Sequence, residues 1–396
     1  MKRQKQQVGV AGRKDNNVRS DCHVQIAITR RNGIRIDLRS KVEALYGMSI
    51  RILITEVLSG LGIPNADIVI DDSGAVPFVI VARVETAARR AVPELKASYL
   101  LPPSTHNKAD KRDRLRRTRL YLPGNEPHFF LNAGLHKPDS LILDLEDGVP
   151  HSEKDAARIL VRNALRQLDF GDSERMVRIN QLPVGLEDLK AIVPHGVETI
   201  LVPKCESAAN VVRIEREITS IVEQHNIRQK IHLLPIIESA LGVVHAFEIA
   251  TASEWICGLA IGLEDYTADL GVERTKTGIE SMYARSVIVN TAKAAGIQAL
   301  DSVFSDVGDD VGLRQSVLEA RAIGFEGKGC IHPRQIGIVH EAFAPTDTEV
   351  EHAQRVIEAS EEAKRIGSGV ISLGSKMIDA PVVKRAQRVL LLAKRK

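Results

Sequence analysis

The chain has 396 residues, 44% hydrophobic and 27% charged, with 28 Gly and 16 Pro, a composition that fits a globular protein of two domains and excludes a disordered or fibrous one. Its formal charge of +3 arises in the first twenty residues, which hold six Lys/Arg against one Asp; the remainder is slightly acidic and is no trap for a nucleic-acid polyanion. No apolar run is long enough to cross a bilayer, and Met1-Lys2-Arg3-Gln4-Lys5 lacks the apolar core of a secretory signal, so a cytoplasmic, membrane-free protein is expected.

In chain order, Cys22–Ile28 alternates as a strand does, and Ile34–Leu38 repeats the pattern after Asn32-Gly33, which predicts a hairpin. From Ser40 the period changes: Val42, Leu45, Ile50, Leu53, Ile54, Val57, Leu58 and Leu61 form the stripe of a helix that stops at Gly62 and Pro64. A second hairpin is predicted from Ala66–Ile70 and Val76–Val84, turning at Asp71-Asp72-Ser73-Gly74. Residues 93–115 read as a linker, with Arg112 and Arg114 solvated, between a small α+β domain over 1–92 and a large domain over 116–396.

Beyond Arg116, short apolar strands alternate with amphipathic helices eight times: Leu120–Leu122, Ser140–Leu145, Met176–Ile179, Thr199–Pro203, His232–Ile237, Gly258–Leu263, Ala299–Val303 and Gly329–His332. That count predicts an α/β fold, a (β/α)8 TIM barrel. The four cysteines, Cys22, Cys205, Cys257 and Cys330, lie far apart with no Cys-x-x-Cys pair, which argues for buried reduced thiols and against a zinc ribbon.

Polar residues collect where these strands end. Asp144, Glu146 and Asp147 follow the second strand, Arg178 the third, Lys204 the fourth, Glu238 the fifth, and Asp265 the sixth. A barrel places its chemistry at that carboxyl face, and carboxylates from three strands with Arg and Lys between them suit Mg2+ and an acidic substrate better than zinc. Each has a plainer reading: Glu146 or Asp147 as a helix cap, Arg178 as half of a structural ion pair. Arg117, nearest the first strand, is a candidate to face an anion.

The motifs Arg117-Thr118-Arg119-Leu120-Tyr121-Leu122-Pro123-Gly124-Asn125, Asp144-Leu145-Glu146-Asp147-Gly148-Val149, Val177-Arg178-Ile179-Asn180, Ile237-Glu238-Ser239-Ala240, Gly262-Leu263-Glu264-Asp265-Tyr266 and Gly327-Lys328-Gly329-Cys330-Ile331-His332-Pro333 resemble the citrate lyase beta subunits and the related citryl-, malyl- and citramalyl-CoA lyases. Residues 7–92 resemble the citrate lyase gamma subunit, an acyl carrier protein, through Ser20-Asp21-Cys22 and Val69-Ile70-Asp71-Asp72-Ser73-Gly74-Ala75. The chain thus looks like a carrier domain fused to its lyase. One departure is Arg19, which aligns with the serine that carries a phosphoribosyl-dephospho-CoA arm in that family and leaves Ser20 as the alternative attachment point.

What the resemblance implies is Mg2+-dependent cleavage of a citryl thioester (citryl-ACP or citryl-CoA) to oxaloacetate and an acetyl thioester, a malyl- or citramalyl-CoA lyase with a non-carrier N-terminal domain being the alternative. By that likeness Glu238 and Asp265 hold the metal, Arg178, Glu238, Arg117 and Lys204 meet the substrate, and Arg117 also serves in catalysis, facing a second carboxylate or the enolate. Asp144, Glu146 and Asp147 stand behind them. Asp379, in Gly374-Ser375-Lys376-Met377-Ile378-Asp379-Ala380-Pro381, resembles a catalytic Asp that relatives offer across a subunit interface, and its plainer reading is the cap of the final helix. A homo-oligomer, trimer or hexamer, and a citrate lyase alpha subunit as partner follow from the same likeness.

Overall fold

The computed structural model describes residues 7–14, 17–104, 112–365, 371–373 and 376–394. The basic residues 1–6, most of the Ser104–Asp110 stretch of the linker, and Gly374-Ser375 lie outside them.

The N-terminal unit is a four-stranded sheet with two helices. β1 (Val8–Ala11), β2 (Cys22–Ile28), β3 (Ile34–Ser40) and β4 (Ala66–Asp72) lie in the order β1-β2-β4-β3, with α1 (Glu43–Gly60) linking β3 to β4. Both predicted strands of the first hairpin exist, but they do not pair. β4 sits between them, antiparallel to β2 and parallel to β3. The reason is α1: a strand followed by a crossover helix returns parallel to its start, and it places β4 in the slot a hairpin would have closed.

The second predicted hairpin is also corrected, because Val76–Val84 opens a helix, α2 (Pro77–Ala91), instead of forming a strand. Pro77 stands in the first turn, where its missing N–H costs nothing. Phe78 to Val81 form a continuous apolar run because this helix is covered on both sides, and such a run carries no period to separate helix from strand. Phe78, Val79 and Ala82 join the core of the large domain, whereas Ile80, Val81, Val84, Ala87 and Ala88 join that of the small sheet. At roughly 1.5–3 kcal/mol for each large side chain, that shared burial fixes the two units together.

Charges reinforce the joint. Glu85 of α2 takes both Nη atoms of Arg162 at 3.0 and 2.8 Å, and Arg90 forks onto Asp155 at 2.8 and 2.6 Å. Both acceptor and donor partners in the barrel belong to the helix Lys154–Gln167. Of the two linker arginines expected to be solvated, Arg112 is exposed and Arg114 is only partly so. Arg114 pairs with Glu198 and donates to the Asp172 carbonyl, Arg112 donates to the Ile256 carbonyl, and Arg116 is fully buried on Glu174. Irregular chain exposes carbonyls, and the guanidinium fork satisfies them where no ladder can.

Eight parallel strands then close on themselves: β5 (Thr118–Pro123), β6 (Ser140–Asp144), β7 (Glu174–Arg178), β8 (Thr199–Val202), β9 (His232–Ile237), β10 (Gly258–Ile261), β11 (Gln298–Val303) and β12 (Gly327–Cys330), with β12 paired to β5. The expected barrel is therefore present, with all eight predicted strands and the predicted outer helices. Ile142, Met176, Leu201, Leu234, Ile236, Ala260 and Leu300 fill its interior as a separate apolar plug. The C-terminal extension packs Asp347–Arg365 against Ala380–Ala393, and Arg388 of the last helix reaches Glu326 at 2.9 Å. Among the described residues no helix is long and apolar enough to cross a membrane.

Candidate active site

Strand alternation sorts the side chains. Leu120, Leu122, Leu143, Val177 and Ile237 pack outward against the helices, so their neighbours Arg119, Tyr121, Asp144, Arg178 and Glu238 turn inward. Above the apolar plug, these residues and the first turn of the helix Leu263–Leu270, which follows β10 and bears Glu264 and Asp265, line a cavity of about 380 Å3 at the carboxyl end of the barrel.

Asp144 holds one side of it. Its carboxylate accepts Arg178 Nε and Nη2, both at 2.7 Å, and the backbone N–H groups of Glu146 and Gly148 at 2.9 and 2.8 Å. Glycine is needed at 148, since a Cβ there would stand 2.5 Å from Asp144 Oδ2. Arg178 lies 5.3 Å from the centre of the Tyr121 ring and 3.0 Å from Glu146 Oε2, an oxygen that finds no hydrogen bond in line. Burial works against the guanidinium, but Asp144 outweighs it and raises the Arg178 pKa.

Lys204 sits in left-handed backbone, φ 44°, two residues after the end of β8. Its Nζ lies 3.1 Å from Glu146, 3.2 Å from Asp147 and 3.4 Å from Asp265, and its own N–H donates to Glu238 Oε2 at 2.8 Å. Burial alone would lower this ammonium, yet the surrounding carboxylates hold it well above the ordinary lysine value. Glu146 and Asp147 behave as a pair: burial and the neighbouring charge push Glu146 up, while Asp147, despite its own burial, is held down by Glu146 and Lys204.

Glu238 is a strongly perturbed carboxylate of the cavity lining. It is 6% exposed at the end of β9, and burial pushes it up to about 7, with Asp265 and Glu146 adding repulsion against the pull of the Lys204 N–H and Arg178. Its Oε1 lies over Gly262, where a Cβ would stand 2.3 Å away. Asp265, at the rim, is half open to solvent. Among the described residues no three His, Cys, Asp or Glu side chains converge at metal-binding spacing. A buried carboxylate with excess negative charge around it and an exposed partner opposite nevertheless fits a hard cation that keeps most of its water.

Asp144, Glu146, Asp147, Arg178, Lys204, Glu238 and Asp265 are thus brought together, and three expected site residues are not. Arg117 precedes β5 and so lies at the amino end of the barrel, opposite the cavity, where its backbone N–H, Nε and Nη2 bind Asp139 at 2.8, 2.9 and 3.0 Å. The expected contact of Arg117 with substrate is corrected on that ground. Asp379 is exposed and caps the final helix, accepting the Val382 N–H at 3.1 Å, and it is not among the residues lining the cavity. Ser20 sits in left-handed backbone, φ 54°, in the turn before β2, with its N–H on the Ser73 carbonyl. The fork expected of Arg178 is already filled by Asp144.

The residue that sequence reading passed over is Arg119. It is 1% exposed, lines the cavity floor, donates Nη2 to the Asp301 carbonyl at 2.6 Å and leaves Nε without a partner. Its signal was available, since Leu120 and Leu122 alternate with it on β5.

Residues 117–333 match the family model described as HpcH/HpaI aldolase/citrate lyase. The chain belongs to the HpcH/HpaI aldolase/citrate lyase family. Residues 4–91 match the model of the malonate decarboxylase delta subunit (MdcD), so the lyase carries the expected acyl-carrier-like domain in the same chain. The family member is 47% identical over 284 residues to the citrate lyase subunit beta of Leuconostoc mesenteroides subsp. cremoris, covering 71% of this chain and 94% of the relative. It is 33% identical over 319 residues to the mitochondrial citramalyl-CoA lyase of Mus musculus, covering 76% of this chain and 94% of that one. The crystal structure of CitE from Mycobacterium tuberculosis in complex with magnesium, acetoacetate and coenzyme A superposes with TM-score 0.59 at 32% identity, covering 72% of this chain and all of that one. This lyase therefore breaks a carbon–carbon bond.

Proposed function

We propose that the chain cleaves a citryl thioester to oxaloacetate and an acetyl thioester with Mg2+ bound at Glu238 and Asp265. The observation that carries this reading is Glu238, a buried carboxylate at a strand end, crowded by Asp265 and Glu146 and overhung by no side chain at Gly262. The magnesium in the Mycobacterium tuberculosis complex and the 47% identity to a citrate lyase beta subunit support it. When bound, Mg2+ would supply positive charge for the oxygen that becomes the ketone.

The residues do the rest. The substrate hydroxyl loses its proton, the bond from the carbinol carbon to the carbon beside the thioester breaks, and the departing enolate takes up a proton to become the acetyl thioester. Lys204 balances Glu146 and Asp147 at the mouth, and Arg178, held by Asp144 and Tyr121, offsets part of the negative charge on that wall. The base is Asp379 of a second copy in a homo-oligomer, trimer or hexamer, because within one chain Asp379 is not among the residues that line the cavity. Replacing Asp379 with Asn is expected to lower turnover with folding intact; unchanged turnover removes it from the reaction.

The carrier-like domain supports acyl delivery within the chain. Asp21, next to Ser20, accepts Arg83 Nε and Nη2, both at 2.8 Å, and Arg83 also donates to the carbonyl of Asn125, two residues beyond the cavity-lining Pro123. A phosphoribosyl-dephospho-CoA arm on Ser20 would therefore start beside the mouth, loaded with citrate by an alpha subunit. The second reading, direct cleavage of citramalyl- or malyl-CoA, is favoured by Arg19 and by the 33% identity to a citramalyl-CoA lyase.

The test is intact-mass measurement of the native protein together with cleavage assays in Mg2+ on citryl-, malyl- and citramalyl-CoA, following the released keto acid. Oxaloacetate from citryl-CoA and an adduct mapped to Ser20 support the first reading. An unmodified chain that prefers citramalyl-CoA supports the second, and failure to cleave any of the three overturns both.

A further inference from the structure

Among the described residues, every ionised side chain lining the cavity has a partner of opposite charge except two, the proposed metal ligand Glu238 and Arg119. Asp144 is matched by Arg178, Asp147 and Asp265 by Lys204, Glu264 by Arg274, and Asp301 by Lys328 and Arg285. Among the described residues no carboxylate oxygen lies within ion-pair distance of the Arg119 guanidinium, whose one hydrogen bond goes to a neutral carbonyl. This arginine is 1% exposed at the floor of a cavity of about 380 Å3 whose rim is carboxylate. Burial lowers its pKa and outweighs the pull of Asp301, the reverse of what the matched Arg178 shows.

A buried cation with no counter-charge is unfavourable in a protein that makes no use of it, since an apolar side chain in its place would leave nothing unpaired. Substrate can supply the missing charge. Resting on the lyase reading above, we propose that Arg119 is a specificity residue that takes the carboxylate of the carboxymethyl branch of the substrate, so that thioesters releasing a four-carbon dicarboxylic keto acid are preferred over those releasing pyruvate. Citryl and citramalyl groups share the carboxylate beside the hydroxyl and differ only in this branch, which is carboxymethyl in one and methyl in the other. A methyl group set against Arg119 would leave the guanidinium buried and bare, the situation in which a site rejects an analogue most strongly. Arg178, by contrast, has its Nε and Nη2 edge occupied by Asp144.

The test compares full-length wild type, Arg119→Met and Arg119→Lys on citryl-CoA and citramalyl-CoA in Mg2+, with thermal unfolding and calorimetric binding of oxaloacetate and pyruvate alongside. The expected result for Arg119→Met is a ratio of kcat/KM, citryl over citramalyl, lowered by about 100-fold or more, with oxaloacetate binding weakened far more than pyruvate binding. Arg119→Lys should restore part of the ratio, and the Tm of Arg119→Met should hold or rise. A ratio unchanged in Arg119→Met, or equal losses for both substrates with a lowered Tm, overturns the proposal in favour of a structural arginine. Wild type inactive on both thioesters would overturn the lyase reading instead, and the oxaloacetate-to-pyruvate binding ratio of the variant would still decide for or against Arg119.

Discussion

Ionising Glu238 opposes the fold, and the size of that opposition can be measured. Its carboxyl is raised from 4.5 to about 7 by burial, so the folded state binds a proton that the unfolded chain releases between those values. Stability from this group is complete below about pH 4.5 and is lost as pH rises to about 7, a total of about 3 kcal/mol at 1.36 kcal/mol per unit. Glu238→Gln keeps the shape and can still accept the Lys204 N–H, but it carries no charge to bury. Without divalent metal the variant should match wild type near pH 4.5 and exceed it by about 3 kcal/mol at pH 8. Urea unfolding in EDTA at several pH values between those limits reads the difference. Adding Mg2+ should reverse the order at pH 8, because a cation bound only to folded wild type stabilises it by mass action. A stability difference that stays flat with pH, or a variant weaker than wild type at pH 8 without metal, would refute the reasoning about Glu238.

The domain joint gives a second expectation: Arg83→Met leaves Asp21 buried and unpaired and should cost about 3–5 kcal/mol in chemical denaturation, most of it recovered in the double variant with Asp21→Leu. Gly262→Ala should lower kcat/KM at least tenfold with a small change in Tm, since the new Cβ would fall 2.3 Å from Glu238 Oε1 and displace that carboxylate. Arg117→Met should leave steady-state kinetics near wild type while lowering stability by about 1–3 kcal/mol, because Asp139, held well below the carboxylate range despite its burial by His340 and Arg117, loses one of its partners.

Some of this protein follows from the order of residues alone. Strand and helix periods are local, so Ser140–Leu145 or the helical stripe from Val42 to Leu61 could be read without knowing the rest, and eight strand–helix repeats specify a closed parallel sheet. The carboxyl-end rule then placed Asp144, Glu238 and Asp265 at one mouth, because strand direction fixes which residues face it. Pairing is not local. The N-terminal sheet order depended on α1 carrying β4 between its neighbours, and α2 read as a strand because two cores cover it, one of them supplied by the other domain. Which arginine meets the cavity was likewise a tertiary decision. Arg117 and Arg119 stand two residues apart in the same motif, yet one binds Asp139 outside the amino end of the barrel and the other is enclosed beneath the mouth. Charge and residue type were the same for both; only the start of β5, and a carboxylate beside Arg117 where Arg119 meets a carbonyl, distinguished them.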